Sequence, residues 1–173
     1  MLRNILIGVV VLVLALVGGS YLLPRNVEVA RSVVIERPAA EIYPHLADLE
    51  AFHAWSPWAM RDAAMAVEIT GAPGEGQRMS WSSEEMGAGS QTITEAVPYR
   101  HVATALDFGE MGTATASFAL TQEDASSTRV TWSFRTDTGM DPVARWMGLM
   151  MDDWVGADYE TGLANLKARV EGS

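Results

Sequence analysis

Three histidines, His45, His53 and His101, are the only imidazoles in the chain, and their spacing builds no reaction centre. His45 and His53 stand eight residues apart across a helix break, so no pair has the one-turn spacing of a helical zinc site such as HExxH. Gly89-Ser90-Gln91 lacks the second glycine of a nucleophile elbow. The run Gly71-Ala72-Pro73-Gly74-Glu75-Gly76 is followed by neither Lys-Ser nor Lys-Thr nor a helical pattern. It reads as hairpin punctuation rather than a phosphate cradle. Asp152-Asp153 is half of the acidic metal motif of prenyl-transfer enzymes, but Gly156 stands where the third acid belongs, which leaves a solvated helix face. No catalytic residue, metal or cofactor is therefore assigned. If a proton is moved, the candidates are His45, whose ordinary pKa lies near neutrality, Tyr43 and Glu95.

The large apolar side chains say more. The chain has six tryptophans and ten methionines. Tryptophan supplies a flat apolar body with one donor, and flexible thioethers suit a pocket that accepts varied apolar ligands. Trp58, Trp81, Met147, Met150, Met151 and Trp154 are accordingly expected to line an internal cavity. Such a lining favours flat or greasy molecules over sugars or nucleotides.

The elements that must hold these residues alternate simply. In residues 27–36 the apolar Val27, Val29, Val33 and Ile35 fall on the strand period. Pro38 suits a first helical turn, Ile42, Leu46 and Leu49 give one helical face, and Pro44 keeps that helix short or kinked. Further strands are expected at Ala66–Thr70, 77–83 (with Met79 and Trp81 alternating), 91–95 (with Gln91, Ile93 and Glu95 alternating), 102–108, 113–120 and 129–134. Gly87-Ala88-Gly89 and Asp124-Ala125-Ser126-Ser127 make turns. Short connections between seven strands predict an antiparallel meander. A closing helix over about 141–170 has Asp141 as N-cap and Pro142 as first residue. Tyr159, Leu163, Leu166 and Val170 form its apolar stripe. Gly148 and Gly156 lie inside it, each at about 1 kcal/mol of helix propensity, so a close approach or a ligand is expected to compensate.

Residues 5–23, ILIGVVVLVLALVGGSYLL, are uncharged. A helix crosses a bilayer core of about 30 Å with about 20 apolar residues, so residues 1–24 read as an N-terminal transmembrane anchor and 25–173 as the domain. Val17-Gly18-Gly19 resembles a signal-peptide cleavage region, but apolar Tyr21-Leu22-Leu23 continues beyond it, favouring an uncleaved anchor. With no cysteine there is no lipoprotein anchor and no disulfide framework. Ala15 and Gly19 form a small-xxx-small pair. Arg3 on one side against Arg25, Arg31 and Arg37 on the other leaves orientation open by charge counting. A lone N-terminal anchor usually exports its domain, so the expectation is a single-pass protein of a bacterial inner membrane with a periplasmic domain.

Residues 25–173 hold 11 basic and 22 acidic side chains. A net charge of −11 (11 − 22) repels phosphate backbones and anionic headgroups. Nucleic acid is therefore excluded as a partner, and membrane contact falls to residues 5–23.

The opening strand with RSVVIERPAAEIYPHLADLEAFHAWSPW over residues 31–58, the glycine-rich turn before Trp81, TRVTW at 128–132 and YETGLANLK at 159–167 together resemble the START-like or Bet v 1-like superfamily. The likeness is greatest to membrane-tethered bacterial SRPBCC proteins of the polyketide cyclase/dehydrase-like group. The resemblance implies an α+β helix-grip fold. In it a curved seven-stranded antiparallel sheet wraps a long C-terminal helix, with two short helices after strand 1 and a cavity between sheet and helix. Fold and function are separate arguments. The expected function is non-enzymatic binding of an apolar small molecule such as a lipid, isoprenoid or polyketide-like compound. The alternative is a cyclase/dehydrase-type enzyme using the same cavity, and a third reading has a filled cavity and protein partners only. Oligomeric state is not set by the sequence.

Overall fold

The computed structural model describes residues 2–172. Helix α1 (Leu2–Ser20) is followed by β1 (Asn26–Ile35), then by α2 (Ala39–Ile42), a 3-10 turn (Tyr43–His45), α3 (Leu49–His53) and α4 (Pro57–Arg61). The meander β2 (Ala66–Thr70), β3 (Arg78–Ser83), β4 (Gly87–Val97), β5 (His101–Asp107), β6 (Thr113–Gln122) and β7 (Thr128–Asp137) leads into α5 (Pro142–Gly148) and α6 (Met151–Glu171). The seven strands form one antiparallel sheet in the order β1-β7-β6-β5-β4-β3-β2. Every neighbour is consecutive in sequence except β1 beside β7, the helix-grip arrangement expected.

Pro44 sits in the 3-10 turn, and the single face read from Ile42, Leu46 and Leu49 is split between α2, the end of that turn and α3, all three side chains being buried. Asp48 caps α3 by accepting from the Glu50 amide, and Gln77 ties that helix to the sheet: its Oε1 accepts from Leu49 N at 2.7 Å and its Nε2 donates to Asp48 Oδ1. Tyr159, Leu163, Leu166 and Val170 are buried as one stripe of α6, which packs chiefly on β1, with α4 and β7 beside it. Burial of each such leucine contributes about 1.5–3 kcal/mol.

Three expectations need correction. Gly87–Gly89 lies in β4 rather than in a turn. The reversal precedes it, where the Ser83 hydroxyl accepts from the amides of Glu85 and Met86. The alternation from Gln91 to Glu95 is broken by a bulge, because Ile93 pairs with Thr104 but Glu95 with Ala103. The extra residue, Thr94, turns Glu95 to the outer face, 3.5 Å from His101 Nδ1. The closing helix is two helices. Asp141 caps α5 as expected, accepting from Val143 N and Ala144 N. The helix then breaks after Gly148, where an added Cβ would lie 2.9 Å from Val27 Cγ2.

Gly156 is compensated as anticipated, by close approach. Arg31 projects from the concave face of β1 into the space a side chain at 156 would need, and donates to Asp152 (3.0 Å) and Glu160 (2.7 Å) on either side. These bonds hold the Asp152 carboxyl below the usual carboxylate range. At the β1 edge, Lys167 Nζ donates to Val34 O at 2.6 Å and the Arg31 guanidinium to Ala30 O at 3.0 Å.

Candidate functional site

The concave face of the sheet divides into a filled half and a half-open one. Over β6 and β7, five aromatic rings close the interior. Trp132 stacks on Tyr159 with centroids 3.8 Å apart and planes 9° from parallel. Phe52, Trp55 and Phe118 pack around Trp132 at 4.9–5.8 Å. Such pairs add about 0.5–1.5 kcal/mol each beyond area burial. The Trp132 indole N–H is buried without a hydrogen-bond partner among the described residues, and burial pushes the Tyr159 hydroxyl up, keeping it neutral.

Over β2 to β5 the cover is thinner, because the helices take their main packing from β1, β6 and β7. Register places Ile69, Met79, Gln91, Leu106 and Ala114 side by side in one row across five strands. Val67, Ile69, Trp81, Leu106 and Phe108 are only partly buried. Trp81 lies edge-on to Phe108 with centroids 6.0 Å apart and covers Gly89, where no larger residue fits. Within this apolar surface, the buried Gln91 Nε2 donates to Thr104 Oγ1 at 3.3 Å, and that hydroxyl donates to Ala116 O at 3.3 Å. This side of the sheet is thus a partly covered apolar surface around one buried polar pair.

The six residues expected to line one cavity are divided by the structure. Trp58, Trp81 and Met151 are half-buried against the core. The Trp58 indole donates to Asp158 Oδ2 at 3.1 Å, and its ring meets Trp132 edge-on at 5.7 Å. Met147 and Met150 are each 42% exposed and Trp154 is 53% exposed. All three are exposed around the junction of α5 and α6, while Trp58 and Trp81 pack against the core.

The proton-moving candidates do not converge either. Tyr43 packs edge-on against Tyr99, and Glu95 is on the outer face. His45 Nδ1 is buried without a partner among the described residues, and burial, followed by nearby Arg169, lowers its pKa. Among the described residues no group of three or more His, Asp or Glu side chains could hold a metal ion.

Gln91 was visible in the sequence as a polar residue at a core-facing strand position. Arg145 carried no such signal. It is 7% exposed, and its guanidinium donates to Gly139 O (2.9 and 3.0 Å), Ser20 O (3.4 Å) and Leu23 O (3.4 Å). It also lies over the Tyr21 ring, 5.3 Å from its centroid. Beside it, the Trp146 indole donates to Leu16 O at 3.1 Å. Helix α5 is thus fastened to the C-terminal end of α1, a 19-residue helix long and apolar enough to cross a membrane or to serve as a signal sequence.

Comparison with known proteins agrees with this architecture. A family model described as polyketide cyclase / dehydrase and lipid transport matches residues 26–171. A solution structure from Thermobifida fusca aligns with a TM-score of 0.64 at 18% identity, over 83% of this chain and 92% of that one. A truncated norcoclaurine synthase from Thalictrum flavum gives 0.63 at 12% identity, over 84% and 93%. The ZhuI aromatase/cyclase from Streptomyces sp. R1128 gives 0.60 at 16% identity, over 84% and 94%. At these identities the structural likeness shows the fold alone. No curated protein matches the chain significantly in sequence. With the model spanning the whole sheet and both closing helices, the chain belongs to the polyketide cyclase/dehydrase and lipid transport family.

Proposed function

We propose that the chain is a membrane-tethered domain that binds an apolar small molecule, such as a lipid, isoprenoid or polyketide-like compound, without transforming it. The observation that carries this reading is the half-open concave surface of Trp81, Leu106 and Phe108 around the Gln91–Thr104 pair. The apolar surface supplies affinity and the polar pair orients one ligand oxygen or nitrogen. The family's hydrophobic-ligand and lipid-transport associations favour the same class of ligand. Helix α1 would be the tether and would keep the domain beside a lipophilic supply. A cyclase-type reaction would need an acid or base facing the concave side, a place that Glu95 does not take.

Native mass spectrometry of the chain extracted from its own membrane tests the reading. An apolar compound should accompany the wild type and be lost in Leu106→Glu, which puts a carboxylate on this surface, while Thr115→Glu on the outer face of β6 retains it. Wild-type chain that carries no such compound and takes up no apolar fluorescent probe would count against binding. Chemical conversion of the bound compound by the purified chain would favour the cyclase reading.

A further inference from the structure

Between Asp141 and Asp152 the chain reads PVARWMGLMM, with a single charge. That charge, Arg145, is buried against the carbonyls of Gly139, Ser20 and Leu23. What faces outward from α5 and its junction with α6 is apolar: Met140, Val143, Met147, Leu149 and Met150 are exposed, and exposed Trp154 follows after the exposed pair Asp152-Asp153 of the first turn of α6. A contiguous apolar surface of this kind marks an interaction site on a soluble domain.

Its position relative to α1 identifies the occupant. The Trp146 indole donates to Leu16 O, four residues or about one helical turn of 5.4 Å before the end of α1. The same ring lies 3.6 Å from where a Cβ on Gly19 would be. The surface therefore continues directly from the apolar flank of α1, at the level where that helix would leave the hydrocarbon. Tryptophan concentrates at this level of a bilayer, and apolar helix faces lie in it. The domain's net negative charge argues against an electrostatic contribution from anionic lipid.

We infer that α5 and its junction with α6 form a bilayer-facing collar, in which Val143, Met147, Leu149, Met150 and Trp154 rest in the interfacial layer of the membrane that α1 crosses, with Asp152 turned instead to Arg31 of β1. The inference depends on the tether proposed above. It assigns Met147, Met150 and Trp154 to lipid contact instead of ligand contact, and it sets the domain's height and tilt by two attachments in place of one.

The chain has no cysteine, so single nitroxide labels can be placed on the full-length protein. Labels would go on Val143→Cys and Met150→Cys, with Ser126→Cys as control in the turn at the far end of β7. In phosphatidylcholine vesicles, labels at 143 and 150 should collide more with oxygen than with a water-soluble nickel complex, and the label at 126 should show the inverse ratio. Labels at 143 and 150 as open to nickel as that at 126 would overturn the collar while leaving the tether intact. Spin–spin broadening at 150 with both reagents shut out would also overturn it, in favour of a contact between two copies. Chain that fails to float with the vesicles would refute the tether, and the collar with it.

Discussion

Leu166→Ala is the sharpest test of how the closing helix is phased. Leu166 is 0% exposed and lies in the middle of the stripe from Tyr159 to Val170. Replacing it removes about three buried carbons at about 0.8 kcal/mol each. The residual cavity adds to this, and buried Leu→Ala changes span about 2–5 kcal/mol. A cost of about 3 kcal/mol is expected. The unfolding entropy of roughly 2.1 cal/mol/K per residue, applied to the folded unit of residues 26–171, gives roughly 0.3 kcal/mol per kelvin. The melting temperature should therefore fall by roughly 10 °C. Leu149→Ala is the internal control. Its side chain is 54% exposed just beyond the break, so it should cost less than about 0.5 kcal/mol. Both variants can be melted in detergent and followed by circular dichroism. A drop of only one or two degrees for Leu166→Ala, or equal drops for the two variants, would refute the phase of α6 and the account of its break.

Three further outcomes follow from the same contacts. A chain beginning at Pro24 should melt cooperatively, because the sheet and α6 draw little on α1; non-cooperative unfolding would show that the Arg145 and Trp146 contacts are needed for folding. Burial, and then Arg169, lower the His45 pKa from 6.5, so the unfolded chain takes up the proton first. Urea stability should be complete above about pH 6.5 and fall as pH drops through the lowered value; His45→Gln should remove this part of the slope. The Arg25 hydrogen bond, with the Gly139 amide, lowers the Asp137 pKa from 3.8 to about 2. Its contribution is present above about pH 4 and lost as pH falls through about 2, so Asp137→Asn should flatten acid unfolding in that window.

Local periodicity made the sheet legible: Val27, Val29, Val33 and Ile35 announce β1, and Met79 with Trp81 announces the concave side of β3. The stripe of α6 was equally plain, since its spacing repeats through three turns. What periodicity could not supply was register between strands. The bulge at Thr94 reverses Glu95, and only pairing with β5 specifies it. The break after Gly148 was likewise hidden, since the close neighbour of that glycine, the Val27 side chain, is far away in sequence. Met147, Met150 and Trp154 of the expected lining are exposed around that break. The Gln91–Thr104 pair could be guessed only at one end, as a glutamine among core positions.

The β1 edge has a consequence for crowding. Were α1 to tether the domain as proposed, copies would meet in two dimensions at a common height, and an exposed strand would repeatedly be presented to the same strand of a neighbour. An open edge with free carbonyls invites chain-to-chain pairing, and charged side chains laid on the edge discourage it. Lys167 occupies the Val34 carbonyl and Arg31 the Ala30 carbonyl. An incoming strand would have to displace both cations. The side chains that bind α6 to the sheet thus also guard the β1 edge against strand-mediated polymerisation.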